Sequence, residues 1–360
     1  MPARPEGAGV RVAVDAMGGD HGPSEVVPGA LDHARAHPED RIILVGDERV
    51  VRSIAGDLPG NVSIVHASQV VGMDEHPALA LREKKDSTII VAVDLVKRGE
   101  ADAVVTAGHT GAGMAAAVLR LGRLPGVDRP ALAVQMITSG GPMVLLDIGA
   151  NPDSTPENLV QYARMGAIFA ERVLGVPEPR VALLSIGEEK GKGDARIQRA
   201  TELLDATDLR FEGNVEGKDL TRQMADVVVC DAVLGNVVIK FFEGLSGYIF
   251  DLWRGEFERS LRGRLAYLLL RPGVGRVRGI FDYEKVGGSP LLGVRGTVII
   301  THGRASRRMV TFACEVAATT ARTGVPALIA ESLSSAARLR PVEAGATTSP
   351  GSMSAAEEAS

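Results

Sequence analysis

The first apolar run of the chain reads Val10-Arg11-Val12-Ala13-Val14-Asp15-Ala16-Met17, and Gly18-Gly19-Asp20-His21 follow it directly. A short run of β-branched residues that is apolar at almost every position is typical of a strand buried on both faces. The segment therefore predicts an inner strand of a parallel sheet that ends in a glycine-rich turn.

Helical periodicity separates this run from further runs of the same kind. Apolar residues return every three or four positions in residues 88–98, 111–121 and 156–173, which favours helices there. Strands that alternate with helices form a mainly parallel sheet with helices on both sides. We therefore expect a three-layer α/β/α fold, with further strands at residues 41–46, 62–66, 102–107, 131–137, 143–148, 181–186, 209–213, 227–231 and 297–301.

The composition narrows the class of protein. The formal net charge of the 360 residues is −5, which argues against a nucleic-acid partner. Two cysteines cannot form a disulfide framework or a cysteine-based zinc site, and they favour a reducing cytoplasm. The sequence shows no secretory signal and no run of about 18 apolar residues that would span a bilayer. We expect a flexible N-terminus over residues 1–9, a single domain over 10–338 and a disordered tail over 339–360.

Small, polar, glycine-rich turns follow several of the predicted strands. In a parallel α/β sheet, ligands bind beyond the carboxyl ends of the strands, and the backbone N–H groups of such turns can converge on an anion. For any single turn, the alternative that glycine only makes the turn stays open, but this alternative is weaker for the whole set. The turns lie at residues 15–23, 106–113, 147–153, 187–193, 213–214, 235–236 and 302–303.

Common cofactor and nucleophile motifs are missing from these turns. Gly191-Lys192 precedes Gly193 rather than Ser or Thr, so this segment is not a Walker A loop, and the turn after the first strand does not give GxGxxG. The sequence has no GxSxG nucleophile elbow, and His33 and His37 lack the glutamate of a zinc protease. We therefore expect no cofactor and no metal.

Taken together, residues 10–331 resemble the PlsX family of phosphate:acyl-acyl-carrier-protein acyltransferases. Two positions depart from the family pattern: His109 stands where Asn is usual, and Asp231-Ala232-Val233-Leu234-Gly235-Asn236 stands where the family usually reads Asp-Gly-Phe-x-Gly-Asn. The match is carried by Val14-Asp15-Ala16-Met17-Gly18-Gly19-Asp20-His21 and by the spacing of later motifs at residues 108–112, 146–151, 183–193, 211–216, 227–240, 243–244, 287–292 and 302–303.

The resemblance implies an enzyme that converts acyl-acyl-carrier-protein and inorganic phosphate to acyl phosphate and the free carrier, and so feeds phospholipid synthesis. It implies a fold similar to the isocitrate/isopropylmalate dehydrogenase and phosphotransacetylase group. It further implies a homodimer in the cytoplasm, in reversible contact with the inner face of the cell membrane. A downstream glycerol-3-phosphate acyltransferase is an additional expected partner.

Lys192 and Asn236 are the pair of catalytic residues that the resemblance implies. Lys192 would bind phosphate or the developing oxyanion as a point charge, and the Asn236 amide would donate to the same oxygen. From the residues alone, a solvated loop lysine and a helix N-cap asparagine stay open as alternatives. Further candidates for binding substrate or phosphate are Gly18, Gly19, Asp20, His21, Gly108, His109, Thr110, Gly111, Asn151, Asn214, Lys240 and His302.

Residues 245–270 carry apolar side chains at helical spacing, and Pro272 then interrupts the pattern. Between residues 254 and 278 there are seven arginines against two acids. A basic amphipathic helix binds the headgroup region of anionic membranes, so we expect an amphipathic protrusion at residues 245–280. The same stripe can instead pack against a dimer partner, and the arginines can receive the acidic carrier protein. The expected membrane contacts are Trp253, Leu265, Leu268 and Leu269.

Three other functions stay open. A phosphotransacetylase that uses acetyl-CoA would share the fold but would have no use for the apolar helix. A nicotinamide-dependent decarboxylating dehydrogenase would need a metal-binding set of carboxylates, which the sequence does not display. A non-catalytic membrane scaffold for lipid synthesis would be favoured if Lys192 and Asn236 proved dispensable.

Overall fold

The computed structural model describes residues 9–280 and 283–339 of the chain. The predicted flexible N-terminus, apart from Gly9, and the predicted tail after Leu339 lie outside the described residues. In chain order the strands are β1 (Arg11–Asp15), β2 (Arg41–Gly46), β3 (Val62–His66), β4 (Ala103–Thr106), β5 (Ala131–Thr138), β6 (Gly141–Leu146), β7 (Val181–Leu184), β8 (Phe211–Val215), β9 (Val227–Val229), β10 (Ser289–Leu292) and β11 (Thr297–Ile300).

Helices connect most of these strands. The last turn of α5 continues as a π-helical segment over Ala117–Leu121. The helices are α1 (Gly22–Ala36), α2 (Glu48–Ala55), α3 (Pro77–Glu83), α4 (Thr88–Lys97), α5 (Thr110–Ala116), α6 (Pro156–Val173), α7 (Ala195–Asp205), α8 (Ala232–Glu258), α9 (Leu261–Ile280), α10 (Arg307–Arg322) and α11 (Val325–Leu339).

Within the described residues, 11 strands form one sheet in the order β3-β2-β1-β4-β11-β10-β5-β6-β9-β7-β8. One group of parallel strands contains β1, β2, β3, β4 and β11, and a second contains β6, β7, β8 and β9. β10 is antiparallel to both β11 and β5, and β5 is antiparallel to β6, so the two groups run in opposite directions. The prediction of a mainly parallel sheet is confirmed. The antiparallel pairing of the two central strands, β10 and β5, was not predicted.

Both faces of the sheet are covered by helices, as the predicted three layers require. Val12 and Val14 of β1 point into a cluster with α1 and α10, whereas Ala13 points to the opposite face, towards α4 and α5. A third cluster packs Leu146 of β6 and its neighbours against α6, α7 and α11. Because complete burial of a Val or Leu side chain contributes about 1.5–3 kcal/mol, these clusters hold the strand ends that carry the turns in fixed positions.

Helices α8 and α9 form a hairpin that was predicted as one helix over residues 245–270. That prediction is wrong, because α8 ends at Glu258 and the Ser260 hydroxyl then accepts the N–H of Gly263, as an N-cap does for a new helix. Pro272 lies inside α9 rather than at its end. The expected membrane contacts lie on this hairpin, with Trp253 39 %, Leu265 60 %, Leu268 64 % and Leu269 77 % exposed.

α8 is also, by length and composition alone, long and apolar enough to cross a membrane, and most of it is exposed. This criterion is less strict than the unbroken run of about 18 apolar residues that the sequence analysis sought, and α8 contains no such run. The reason is that glycine, serine and a few charged residues divide the apolar positions of α8, so no unbroken apolar run is visible. Its exposed apolar side chains form a stripe at helical spacing that consists of Val237, Phe241, Leu245, Tyr248 and Leu252.

Candidate active site

Three glycine turns meet where β1, β4 and β11 end. The Asp20 N–H donates to the Gly303 carbonyl at 2.7 Å, which ties the turn after β1 to the turn after β11. A Cβ on Gly18 would lie 2.8 Å from the Gly108 nitrogen, and a Cβ on Gly19 would lie 2.8 Å from the Gly303 oxygen. Because only glycine permits this approach, the three backbones can gather their N–H groups at one edge of the sheet.

Asp15, at the end of β1, supports two of these turns. Its Oδ2 atom accepts the Thr106 hydroxyl at 2.8 Å, and the Thr106 oxygen accepts the Gly108 N–H at 3.1 Å. Burial raises the pKa of Asp15, and hydrogen bonds from hydroxyl and backbone groups oppose that rise. A buried carboxyl group therefore fixes the turn after β1 against the turn after β4.

His109 caps the helix that follows β4. Its Nδ1 atom accepts the Gly111 N–H at 3.0 Å at the start of α5. A side-chain acceptor at this position satisfies a backbone N–H that has no partner within the helix, as Asn does at an N-cap. The histidine that departs from the family pattern thus caps α5, and Thr110 beside it faces the cavity described below.

Asp147 organises the loop that follows β6. Its Oδ1 atom accepts three backbone N–H groups at 2.9–3.1 Å, and its Oδ2 atom accepts the Asn151 N–H at 2.8 Å and the Asn151 side-chain amide at 2.9 Å. The same amide donates to the Pro130 carbonyl at 2.6 Å. Burial raises the pKa of Asp147, and these hydrogen bonds oppose the rise. Asn151 is therefore engaged in holding the loop.

α8 begins in close contact with this loop. A Cβ on Gly235 would lie 2.0 Å from the Asp147 carbonyl oxygen, so glycine is required there. Asp231 is the N-cap of α8, since its Oδ1 atom accepts two N–H groups of the first turn at 2.9 and 3.0 Å. The Asp231 Oδ2 atom also accepts a hydrogen bond from the Arg196 guanidinium at 2.7 Å, which ties the start of α7 to α8. Asn236 consequently lies one turn inside α8, and the alternative that it is an N-cap is wrong.

A cavity of about 590 Å³ lies between α8 and the central strands β5, β10 and β11. Asn236 and Lys240 line it from successive turns of α8, and Thr110 and His302 line it from the turns after β4 and β11. Most of the remaining wall is apolar, and it includes Leu132, Val134, Met136, Ile148, Val237, Phe242 and Ile300. The cavity can therefore hold an apolar group next to a small set of hydrogen-bond donors.

Lys240 and His302 are in direct contact inside this cavity. The Lys240 Nζ atom lies 3.3 Å from His302 Nε2 and 2.8 Å from Glu243 Oε2. Burial and the nearby Lys240 charge lower the pKa of His302, which favours the neutral ring. His302 Nδ1 accepts the Arg304 N–H at 3.1 Å, so a neutral ring carries its proton on Nε2, and the 3.3 Å contact with Lys240 Nζ then joins two donors rather than a donor and an acceptor. An ammonium group and an N–H group thus lie side by side, an arrangement that can bind one anionic oxygen.

Lys192 lies outside this cavity, on the loop between β7 and α7. Its side chain is exposed, and its N–H donates to the Glu189 carbonyl at 3.1 Å. The buried Asn214 supports the same loop through a 3.5 Å contact from its amide to the Glu189 carbonyl. Asp20 and His21 are exposed at the turn after β1. The structure thus brings together Thr110, Asn236, Lys240 and His302, and it leaves the predicted partner of Asn236 on a neighbouring loop.

Asp147 and Glu243 belong to the site but were not selected from the sequence. Asp147 holds the loop that α8 contacts, and Glu243 lines the cavity and neutralises Lys240. Both are acids that interrupt an apolar stretch within two residues of a glycine, in Leu146-Asp147-Ile148-Gly149 and Phe242-Glu243-Gly244. A search of the sequence for acidic residues that interrupt an apolar stretch just before a glycine would have selected both.

Comparisons with known proteins show the family of this chain. A family model described as "Fatty acid synthesis protein" matches residues 10–328. A phosphate acyltransferase of Desulfitobacterium hafniense (strain Y51) is 48 % identical over 311 residues, which cover 86 % of this chain and 92 % of that protein. A phosphate acyltransferase of Alkalilimnicola ehrlichii is 46 % identical over 330 residues, with coverages of 91 % and 96 %.

Solved structures of similar fold include two phosphotransacetylases. The EutD phosphotransacetylase from Staphylococcus aureus has a TM-score of 0.58 at 16 % identity, over 87 % of this chain and 94 % of that chain. A phosphotransacetylase from Streptococcus pyogenes has a TM-score of 0.57 at 17 % identity, with the same coverages of 87 % and 94 %. At these identities the likeness concerns the fold alone, and it confirms the predicted fold group.

Proposed function

This chain belongs to the fatty acid synthesis protein family, among its PlsX-type phosphate acyltransferases, and from that premise we propose that it transfers an acyl group from acyl carrier protein to inorganic phosphate. A phosphate oxygen attacks the thioester carbonyl, the C–O bond forms and the C–S bond breaks. The electron pair leaves with sulfur, and the proton of phosphate passes to the thiol of the carrier. The acyl phosphate then feeds phospholipid synthesis.

The observation that carries this proposal is the mainly apolar cavity lined by Asn236, Lys240 and His302. An acyl chain fits the apolar wall, and its thioester carbonyl then lies beside the donors. As phosphate attacks, negative charge develops on the carbonyl oxygen, and one well-placed donor lowers the barrier by about 3–4 kcal/mol. We assign that donor to the Asn236 amide.

We assign the binding of phosphate to Lys240 and His302, with the glycine turns after β1 and β4 at the same edge of the sheet. The ammonium group and the Nε2–H group offer two donors to one phosphate oxygen, and backbone N–H groups suit the others. Lys192 remains a proposed catalytic cation. Lys192 precedes α7, which the Arg196–Asp231 ion pair ties to the start of α8, and its long, exposed side chain suits an anion bound near that helix.

Product analysis tests this function directly. The full chain is incubated with palmitoyl-acyl-carrier-protein and labelled phosphate, and the acyl phosphate is trapped with hydroxylamine. We expect a labelled, hydroxylamine-sensitive product in amounts equal to the released carrier thiol. Parallel reactions contain acetyl-CoA with phosphate, or a hydroxyacid with NAD. Consumption in either of these reactions, with the palmitoyl carrier untouched, would contradict the proposal.

The proposed site on the membrane is the first half of α9, next to the turn of the α8–α9 hairpin, and we call this region the hairpin tip. Leu265, Leu268 and Leu269 are exposed there, and arginines of α9 flank them. Apolar burial at the headgroup boundary and attraction of the arginines to anionic lipid act in the same direction. We therefore place the protein in the cytoplasm, reversibly bound to the inner face of the cell membrane, where a glycerol-3-phosphate acyltransferase can receive the product.

We propose separate surfaces for a second copy of the chain and for the carrier. The exposed apolar stripe of α8 from Val237 to Leu252 suits the partner subunit of a homodimer, because such a stripe resembles the inside of a domain more than a surface. The arginines of the hairpin suit the acidic carrier protein as well as lipid. In this arrangement, residues 10–338 act as a single acyltransferase domain from which the hairpin projects.

A further inference from the structure

One face of α8 lines two cavities in succession. The second cavity, of about 920 Å³, lies between α8 and α9, and its wall combines four aromatic side chains with nine charged residues. The lining residues of α8 follow one another at intervals of three or four, so a single helical face runs for about 37 Å past both cavities. Along this face lie Ala232, Asn236, Ile239, Glu243, Ser246, Phe250, Trp253 and Phe257.

The two cavities meet at Glu243 and Ser246, which line both. The charge of Glu243 is offset by Lys240 at 2.8 Å, and Ser246 is small and buried. Gly247 lines the second cavity next to this junction, and a Cβ added there would meet no atom within 4 Å. Ser246 and Gly247 thus add little bulk at this junction, which would serve as a passage for a thin chain.

An extended acyl chain has the shape that this double cavity accepts. Its carbonyl has to lie near Asn236, and Gly247 is eleven residues further along α8, about 16 Å away. An extended palmitoyl chain is longer than this distance, whereas an octanoyl chain is shorter. Beyond the passage, the rings of Phe250 and Trp253 pack edge to face at 5.8 Å and offer an apolar wall.

We propose that the cavity between α8 and α9 receives the distal part of long acyl chains, and that the room at Gly247 sets the longest chain the enzyme uses. This inference rests on the proposed acyl transfer. It assigns to the hairpin a second task besides any contact with lipid. The chain crosses the passage beside Ser246, while its thioester stays with Asn236 in the first cavity.

The test compares Gly247→Leu with a matched control, Gly244→Leu. Gly244 is also exposed on α8, a Cβ there also meets no atom within 4 Å, and Gly244 lines neither cavity. Leucine has a higher helix propensity than glycine, so neither change disfavours the helix. For each protein, kcat/KM is measured with palmitoyl and octanoyl carrier thioesters, and the ratio of the two values is the readout.

We expect the palmitoyl-to-octanoyl ratio to fall by about tenfold or more in Gly247→Leu and to stay at the wild-type value in Gly244→Leu. An unchanged ratio in Gly247→Leu, or an equal fall in the control, overturns the inference and leaves the proposed function standing. If the wild-type chain forms acyl phosphate from neither thioester, the proposed function itself fails, and this inference fails with it.

Discussion

The Nζ atom of Lys240, on α8, lies 3.3 Å from the Nε2 atom of His302, which follows β11. α8 follows β9, so the contact joins the two groups of parallel strands that run in opposite directions. The antiparallel strands β10 and β5 between these groups form the floor of the cavity at this point. The meeting of the two halves thus places a cation from one beside a neutral imidazole from the other.

The Lys240→Met variant should raise the pKa of His302. Burial is the largest cause that lowers this pKa, and the Lys240 charge is the next, because a neighbouring cation disfavours the imidazolium. Arg304 acts in the same direction, while Glu243 and Asp20 oppose it and remain in the variant. The ring should therefore gain its proton at a higher pH, which an NMR titration of the His302 ring protons measures.

The Lys240→Met variant should also have a higher KM for phosphate, because the site loses one of its two donors to the phosphate oxygen. Lys97→Met serves as the control, because Lys97 is exposed at the end of α4 and does not line the cavity. An identical His302 titration in wild type and Lys240→Met would contradict the electrostatic link.

Asn236 and Asn151 should respond in opposite ways to replacement by alanine. Asn236→Ala removes the proposed oxyanion donor from an exposed position, so kcat should fall by about 100-fold with little change in stability. Asn151→Ala removes one of the five hydrogen bonds that Asp147 accepts and the side-chain amide that donates to the Pro130 carbonyl, which should lower the free energy of unfolding by about 1–3 kcal/mol. Steady-state kinetics and urea denaturation of both variants check this, and a stable, fully active Asn236→Ala would refute the assignment.

The buried parallel strands were predictable because their local pattern and their environment agree. β2 matches the predicted run at both ends, since apolar residues fill most of it and polar turns bound it. β3 also matches at both ends, although it is a partly exposed edge strand. β10 was missed because Pro290 and the adjacent glycines resemble a turn. Its direction, and that of β5, depend on pairing with strands distant in the chain, which no local pattern reports.

The site was predictable only in part, for a similar reason. The turns with Gly18 and Gly108 were predicted from the sequence, because glycine is required where two backbones are in close contact. Lys192 and Lys240 look alike as single lysines near glycine, and only the fold brings Lys240 of α8 beside His302 in the turn after β11. The hairpin break after Glu258 was hidden because apolar spacing continues across it.

Lys192 and Lys190 offer a paired test on one loop. Lys190 is exposed and forms an ion pair with Asp205 at 3.0 Å, so Lys190→Ala should leave turnover close to wild type. Lys192→Ala should lower kcat by about tenfold or more, which corresponds to about 1.4 kcal/mol of barrier. Turnover is measured at saturating phosphate, with melting temperatures as the control for folding. Equal turnover in both variants would show that Lys192 is a solvated loop lysine without a catalytic role.

Liposome flotation tests the hairpin tip as the membrane anchor. Leu265→Glu/Leu269→Glu changes two exposed leucines that line neither cavity, so the site stays intact while the apolar tip gains two negative charges. Wild type should float with anionic vesicles, and less so as salt rises, because screening weakens the attraction of the arginines to lipid. The double variant should stay at the bottom. Leu79→Glu/Leu119→Glu introduces the same charges at two exposed leucines of other helices and should float like wild type. Equal flotation of the two double variants would place the anchor elsewhere on the chain.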